Sequence, residues 1–211
     1  ACRPGAYVYC GFNETLDEAV FRRESLAGVY ERGLGMMHKI PVKPGEVVIV
    51  WGGLPHAIGP GITMVEVMEP SDLTINPEAR CGEREIAPEK RFGGLDPETA
   101  LDIFEYKPRS EAEIRALSLP KPEPVAPGWN RLIDREKVRF FEAQELRIDG
   151  ERQVEFPEEC FHIALCVEGK ISIDGVPLSA GESAFLPFVR RRCALSGNGR
   201  LVLILPPSPA K

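Results

Sequence analysis

The chain has 211 residues and a net charge of −6, from 26 basic and 32 acidic side chains. That length allows one large domain or two small ones, folding without disulfide or metal staples, and the acidic balance excludes a nucleic-acid binder, which needs clustered Lys and Arg against phosphates. Gly 20 and Pro 20 make up about 19% of the chain against a usual share of about 12%, and neither suits a helix interior, so a mostly helical protein is excluded.

A hydrophobic fraction of 43% is too high for a disordered chain. No apolar run approaches the roughly 18 residues of a membrane span, and the N-terminus carries no signal-peptide pattern. The six cysteines (Cys2, Cys10, Cys81, Cys160, Cys166, Cys193) form no CxxC pair. Scattered thiols of this kind read as reduced, and the chain as cytoplasmic.

In chain order, β-type runs are expected at residues 6–11, 46–51, 62–68, 138–148, 161–167, 170–174, 182–187, 192–196 and 201–205, bounded by turn signals such as Asp149-Gly150 and Asp174-Gly175. Three helices interrupt them. Thr15-Leu-Asp-Glu18 reads as a capping box opening a helix to about Ala27; Asp96-Pro97 reads as an N-cap with Pro at the first helical position; Ser110-Glu-Ala-Glu113 caps a third. Five prolines between Lys107 and Gly128 predict an extended linker with a short helix at 107–128, separating domains at 1–106 and 129–211.

The chain contains an internal repeat. Gly45-Glu46-VVIV-Trp51-Gly-Gly53-Leu-Pro-His56 aligns with Gly181-Glu182-SAFL-Pro187-Phe-Val189-Arg-Arg-Arg192. Each copy is a turn glycine, a strand, a second turn, and a polar residue at a fixed distance.

These anchors resemble the second motif of the cupin superfamily of small β-barrels, with Trp51 at its proline in the first copy, and Val189 and Arg192 at its glycine and histidine in the second. Phe161 and Ile163 stand where the first motif would place metal-binding histidines, so the resemblance implies a metal-free second barrel. His162, between them, is expected to point the other way along its strand. His56-Ala57, Glu66 and the run Met-Glu-Pro-Ser71-Asp72-Leu-Thr-Ile are similar to the type I mannose-6-phosphate isomerases. The flanking PGAYVYCGF, MHKIPVKPGE, PEKRF, DIFEYKP and FHIALCVEG agree. The implied fold is mainly β: two cupin-like jelly-roll β-barrels with a few inserted helices, the first incomplete.

For the site, the resemblance implies that His56 ligates one zinc ion in the first barrel; a packed or surface histidine is the competing reading. The family's other ligands, a glutamine, a histidine and a glutamate, lie upstream of PGAYVYCGF. Two expectations stand side by side: the chain is part of a longer isomerase, with a first barrel short of strands, an apolar interior exposed and an unpaired edge near residues 6–11, or it binds no catalytic metal. His38 and Glu66 are further candidates beside His56. Glu66 would be catalytic, moving a proton between C1 and C2 of a sugar, unless it is simply an outward-facing strand carboxylate. Asn76 stands where many relatives carry an arginine, and Arg80 or Arg84 would substitute for it in binding substrate. Arg190, Arg191 and Arg192 read as a phosphate clamp or a solvated strand end, the latter being commoner. The function implied is a zinc-dependent aldose–ketose isomerase acting on mannose 6-phosphate and fructose 6-phosphate or a related sugar through a cis-enediol, with no nucleic-acid or membrane partner, and a homodimer open; the alternative is a non-catalytic cupin-type sugar-binding protein.

Overall fold

The computed structural model describes residues 1–71, 73–156 and 160–207. Asp72 of the run Met-Glu-Pro-Ser71-Asp72 and residues 208–211 of the expected second domain lie outside the described residues. The chain divides into two compact units, Ala1–Pro120 and Lys121–Lys211.

In the first unit, β1 (Tyr7–Phe12) is the centre of a three-stranded antiparallel sheet between β2 (Met37–Pro41) and β3 (His56–Ile58). Residues 6–11 are thus paired on both sides, not an open edge. Val8 and Cys10 alternate onto a core with Ile40, Leu54 and Ile114. Gly11, at φ +70°, bulges the strand where the register shifts, and a Cβ there would collide with Ile114. A second cluster joins Phe12 to Phe21 of α1 (Glu18–Ala27), with Phe104 and Tyr106 packed against it. The cap of α1 is Asp17, whose carboxylate accepts the Val20 N–H at 3.0 Å; Thr15 instead donates to Asn13 Oδ1 at 2.6 Å. The helix therefore starts one residue after Asp17, and the box expected at Thr15 does not form.

Short elements follow: α2 (Glu31–Gly35), the hairpin of β4 (Arg80–Cys81) and β5 (Arg84–Glu85), α3 (Pro88–Arg91) and α4 (Pro97–Ala100), the last capped by Asp96 as expected. α5 (Glu111–Ser118) carries the complete capping box of Ser110 and Glu113. The expected linker does not run free. Arg109 N–H donates to the Phe12 carbonyl at 3.0 Å, and Ile114 of α5 is fully buried in the first unit.

Two expected strands are absent. Residues 46–51 and 62–68 join no neighbouring strand, apart from an isolated bridge between Ile62 and Cys2; the Ile49 N–H donates to Ser118 at the end of α5, and Trp51 Nε1 to Leu117. Alternation of apolar residues creates a strand only where a partner backbone lies alongside. Met64, Val65, Met68 and Leu73 are exposed as a result.

In the second unit, β6 (Glu123–Ala126), β7 (Trp129–Ile133), β8 (Glu142–Glu155), β9 (His162–Ile173), β10 (Val176–Ser179), β11 (Ser183–Leu186) and β12 (Arg192–Leu205) form one antiparallel sheet in the order β10-β9-β12-β8-β7-β6, with β11 also on β9. Part of the supposed linker is β6, and Pro124 is tolerated because β6 lies at the sheet edge. Pairs of short strands expected at 161–174 and 192–205 are each one long bent strand, and Asp149-Gly150 lies inside β8 rather than ending it. Glycines at the bends explain this: Gly150 at φ +87° stands opposite Gly197 at φ +111°. Inward residues Leu146, Ile148, Ala164, Cys166, Leu201 and Leu203 build the core. The structure is mainly β, with large antiparallel sheets, and among the described residues none closes into a barrel.

Candidate functional site

The repeat is realised at its turns. Gly45 and Gly181 adopt φ of +89° and +94°, and in both copies the following glutamate folds back: Glu46 accepts the Lys43 N–H at 2.8 Å, Glu182 the Ser179 N–H at 2.6 Å. Downstream, His56 opens β3 and Arg192 opens β12.

His56 is an exposed residue whose Nδ1 lies 3.3 Å from the Leu54 carbonyl. A carbonyl only accepts, so Nδ1 is the donor in this contact, and the other ring nitrogen, Nε2, is the one that would face a metal. Cys10 stands in register with His56 on one side and His38 on the other. This row places the two histidines about 10 Å apart, two strand spacings. His38 Nε2 is occupied by the Arg109 carbonyl at 2.7 Å.

Glu66 is exposed on the unpaired segment. Asn76 is partly buried, and its backbone N–H donates to the Arg91 carbonyl at 2.7 Å. Arg91, itself buried, donates to the carbonyls of Ser25 and Pro77 and so anchors this stretch to the end of α1; burial pushes its guanidinium pKa down. Arg80 is exposed on its hairpin, donating to the Glu83 carbonyl at 3.2 Å and lying 4.0 Å from Glu85. Among the described residues, no hydrogen bond or ion pair joins His56, Glu66, Asn76 and Arg80 to one another.

A catalytic zinc takes three protein ligands. Among the described residues, no group of three His, Cys, Asp or Glu side chains converges on a metal position. His56 fits as a single ligand; the set as a whole does not fit a zinc centre.

In the second unit the structure corrects one orientation. His162 is buried and faces inward against Phe156, ring centroids 4.4 Å apart, while Phe161 and Ile163 are the exposed residues. Around it is a polar network that the sequence reading missed. Trp129 Nε1 donates to Gln144 Oε1 at 2.7 Å, Gln144 donates on to Glu142, and Arg135 donates to Glu142 at 3.0 Å. The available signal was parity: Glu142 and Gln144 share the inward face of β8 with Leu146 and Ile148. Arg190 lies 3.6 Å from Asp174 and Arg192 3.2 Å from Glu155, all exposed or half-exposed, as for a solvated strand end. Among the described residues, no helix is long and apolar enough to cross a membrane.

Together these features define a two-unit, mainly β protein whose fold is shared with known sugar-phosphate isomerases. The mannose 6-phosphate isomerase from Bacillus subtilis superposes with a TM-score of 0.70 at 19% identity, covering 96% of this chain and 61% of that one. A mutant of phosphomannose isomerase from Salmonella typhimurium gives 0.66 at 15%, covering 96% and 66%, and the apo form of the mannose 6-phosphate isomerase from the same organism 0.60 at 14%, covering 96% and 64%. The chain thus spans less than two thirds of each of these chains. No family model and no curated protein sequence matches it.

Proposed function

We propose that the chain works as an aldose–ketose isomerase on mannose 6-phosphate and fructose 6-phosphate or a related sugar, each of its units being a cupin-like jelly roll. The observation that carries this reading is the fold likeness over 96% of the chain to the Bacillus enzyme. Glu66 takes the proton from C2 of the aldose; the electrons of the broken C–H bond form the C1–C2 double bond of a cis-enediol as the C1 oxygen gains a proton. The same carboxyl then returns its proton to C1 while the C2 hydroxyl loses one, leaving the ketose with every atom conserved. Asn76 and Arg80 contact the sugar or its phosphate. Of the residues in this chain only His56 would serve as a zinc ligand, so no step is routed through a metal, and the proton transfer is assigned to Glu66.

The test is a coupled assay of the full chain with mannose 6-phosphate, mannose and other hexoses, beside Glu66→Gln. Turnover that falls at least about 100-fold in the variant, with an unchanged melting temperature, is the expected result. Sugar binding with no turnover on any hexose or hexose phosphate would overturn it in favour of a non-catalytic sugar-binding protein, the reading that Asn76 in place of an arginine favours.

A further inference from the structure

Arg91, the last residue of α3, is only 6% exposed. Its guanidinium donates to two carbonyls rather than to a carboxylate: that of Ser25 in the last turn of α1, and that of Pro77. Its Nε is buried with no partner among the described residues, and Glu78 acts on it only through its charge. Burying a cation against neutral acceptors, with one N–H left over, is unfavourable. An apolar side chain of similar length would fill the same space without that penalty, so packing alone does not account for an arginine here.

Its bonds converge on Asn76. The Arg91 carbonyl accepts the Asn76 N–H at 2.7 Å while the guanidinium holds the Pro77 carbonyl, so Arg91 takes a backbone group on either side of the Asn76 side chain. Residues 73–77 belong to no helix or strand, and no ladder of hydrogen bonds fixes them. The surroundings of the clasp are tightly packed. The Ala79 N–H donates to the Gly28 carbonyl at 3.4 Å, and a Cβ on Gly28, which ends α1 at φ +73°, would lie 2.6 Å from that of Ala79. Ile75 packs on the cluster of Phe92, Ala100 and Leu101.

We propose that Arg91 is a positioning residue for substrate: its clasp holds the Asn76 side chain ready for the sugar phosphate. This rests on the assignment of Asn76 to substrate binding. A contact carried on an irregular stretch must otherwise be ordered when the ligand arrives, and ordering it beforehand strengthens binding. The clasp touches no reacting atom, so its effect falls on KM and leaves kcat alone.

The experiment compares the full chain with Asn76→Ala, Arg91→Met, Arg91→Lys and the double variant of Asn76→Ala with Arg91→Met, in the mannose 6-phosphate assay and by hydrogen exchange of the backbone at 73–79. Arg91→Met should raise KM about tenfold with kcat unchanged, and Arg91→Lys, which keeps a donor near the two carbonyls, should raise it less. Arg91→Met should add nothing to Asn76→Ala, as for two residues acting through one contact. Exchange at 73–79 should quicken at least about tenfold in Arg91→Met while β1 stays protected. Should Arg91→Met fail to fold, Arg91→Lys carries the same comparisons. A lower kcat or melting temperature with KM unchanged, effects on KM that add in the double variant, or unchanged exchange would each overturn the proposal. A wild type without turnover sinks the isomerase reading instead; the calorimetric Kd for mannose 6-phosphate then replaces KM, and an equal Kd in wild type and Arg91→Met overturns the positioning role. A chain that neither turns over nor binds this sugar phosphate overturns both.

Discussion

Glu182 folds back to accept the backbone N–H of Ser179 at 2.6 Å, one turn residue after Gly181 enters the left-handed region at φ +94°. Glu46 does the same to Lys43. The carboxylate closes the turn that starts β11, and at this exposed site the hydrogen bond contributes about 1 kcal/mol. Glu182→Ala should lower stability in urea by about 1 kcal/mol, and Glu182→Gln, whose amide oxygen still accepts, by less than half of that. Equal losses in the two variants would show that the turn is held by something else.

The bends of the long strands make a sharper test. A Cβ at Gly169, at φ +75°, would collide with the Asn198 carbonyl oxygen, whereas at Gly175, at φ +83°, it would meet nothing within 4 Å. Both alanine variants bear the left-handed backbone penalty, about 1–2 kcal/mol. Only Gly169→Ala adds a backbone clash, so it should cost at least about 2 kcal/mol more than Gly175→Ala in chemical denaturation. Similar costs for the two would mean that the strand bend at Gly169 relaxes freely.

Those glycines also explain how far the sequence was legible. Glycine reads as a boundary, so 161–174 and 192–205 look like four strands; here Gly169, Gly197 and Gly199 let two long strands bend where their backbones approach too closely for a side chain. Capping at Asp96 and Ser110 was readable because side chain and target amide lie within three residues. The strands expected at 46–51 and 62–68 do not form because pairing depends on a distant partner, which local alternation does not encode. For the site, the repeat located His56 at the start of a strand, but which side chains face one another around it is a tertiary property. The register of Cys10 with His38 and His56 has no trace in the spacing of 10, 38 and 56.

The network inside the second unit depends on Gln144 twice, as acceptor for Trp129 Nε1 and as donor to Glu142. Gln144→Leu removes both bonds and leaves a buried indole N–H without its acceptor, a loss of about 2–3 kcal/mol. Equilibrium unfolding in urea followed by tryptophan emission checks this, and a variant as stable as the wild type would mean that the network adds nothing net.

Cys2, Cys10, Cys81, Cys166 and Cys193 stand outside any disulfide. Burial pushes the pKa of Cys10 and Cys166 up, and that of Cys193 to about 11, where the nearby Asp174 carboxylate disfavours the thiolate further. Only the thiolate alkylates. Exposed Cys81 should therefore react first with iodoacetamide at neutral pH, while Cys10, Cys166 and Cys193 stay unmodified until denaturant is added; peptide mass mapping after a short pulse reads the order. Early modification of Cys193 would contradict its buried placement.

His162 makes the second unit acid-sensitive. Burial holds its imidazole below the ordinary value of 6.5; the charge of Arg135 acts in the same direction, while Glu142 and a backbone bond at Cys160 oppose it. The folded chain keeps the ring neutral, whereas the unfolded chain takes up a proton as the pH drops through 6.5. Stability from this group is therefore whole above the unfolded value and is lost as pH falls below it toward the folded value, with a slope of up to about 1.4 kcal/mol per pH unit for one proton. His162→Phe keeps an aromatic ring against Phe156 but cannot titrate. Melting temperatures between about pH 5 and 8, spanning the ordinary histidine range, should fall toward acid more steeply in the wild type than in this variant. Parallel curves would place the acid sensitivity on the carboxylates instead.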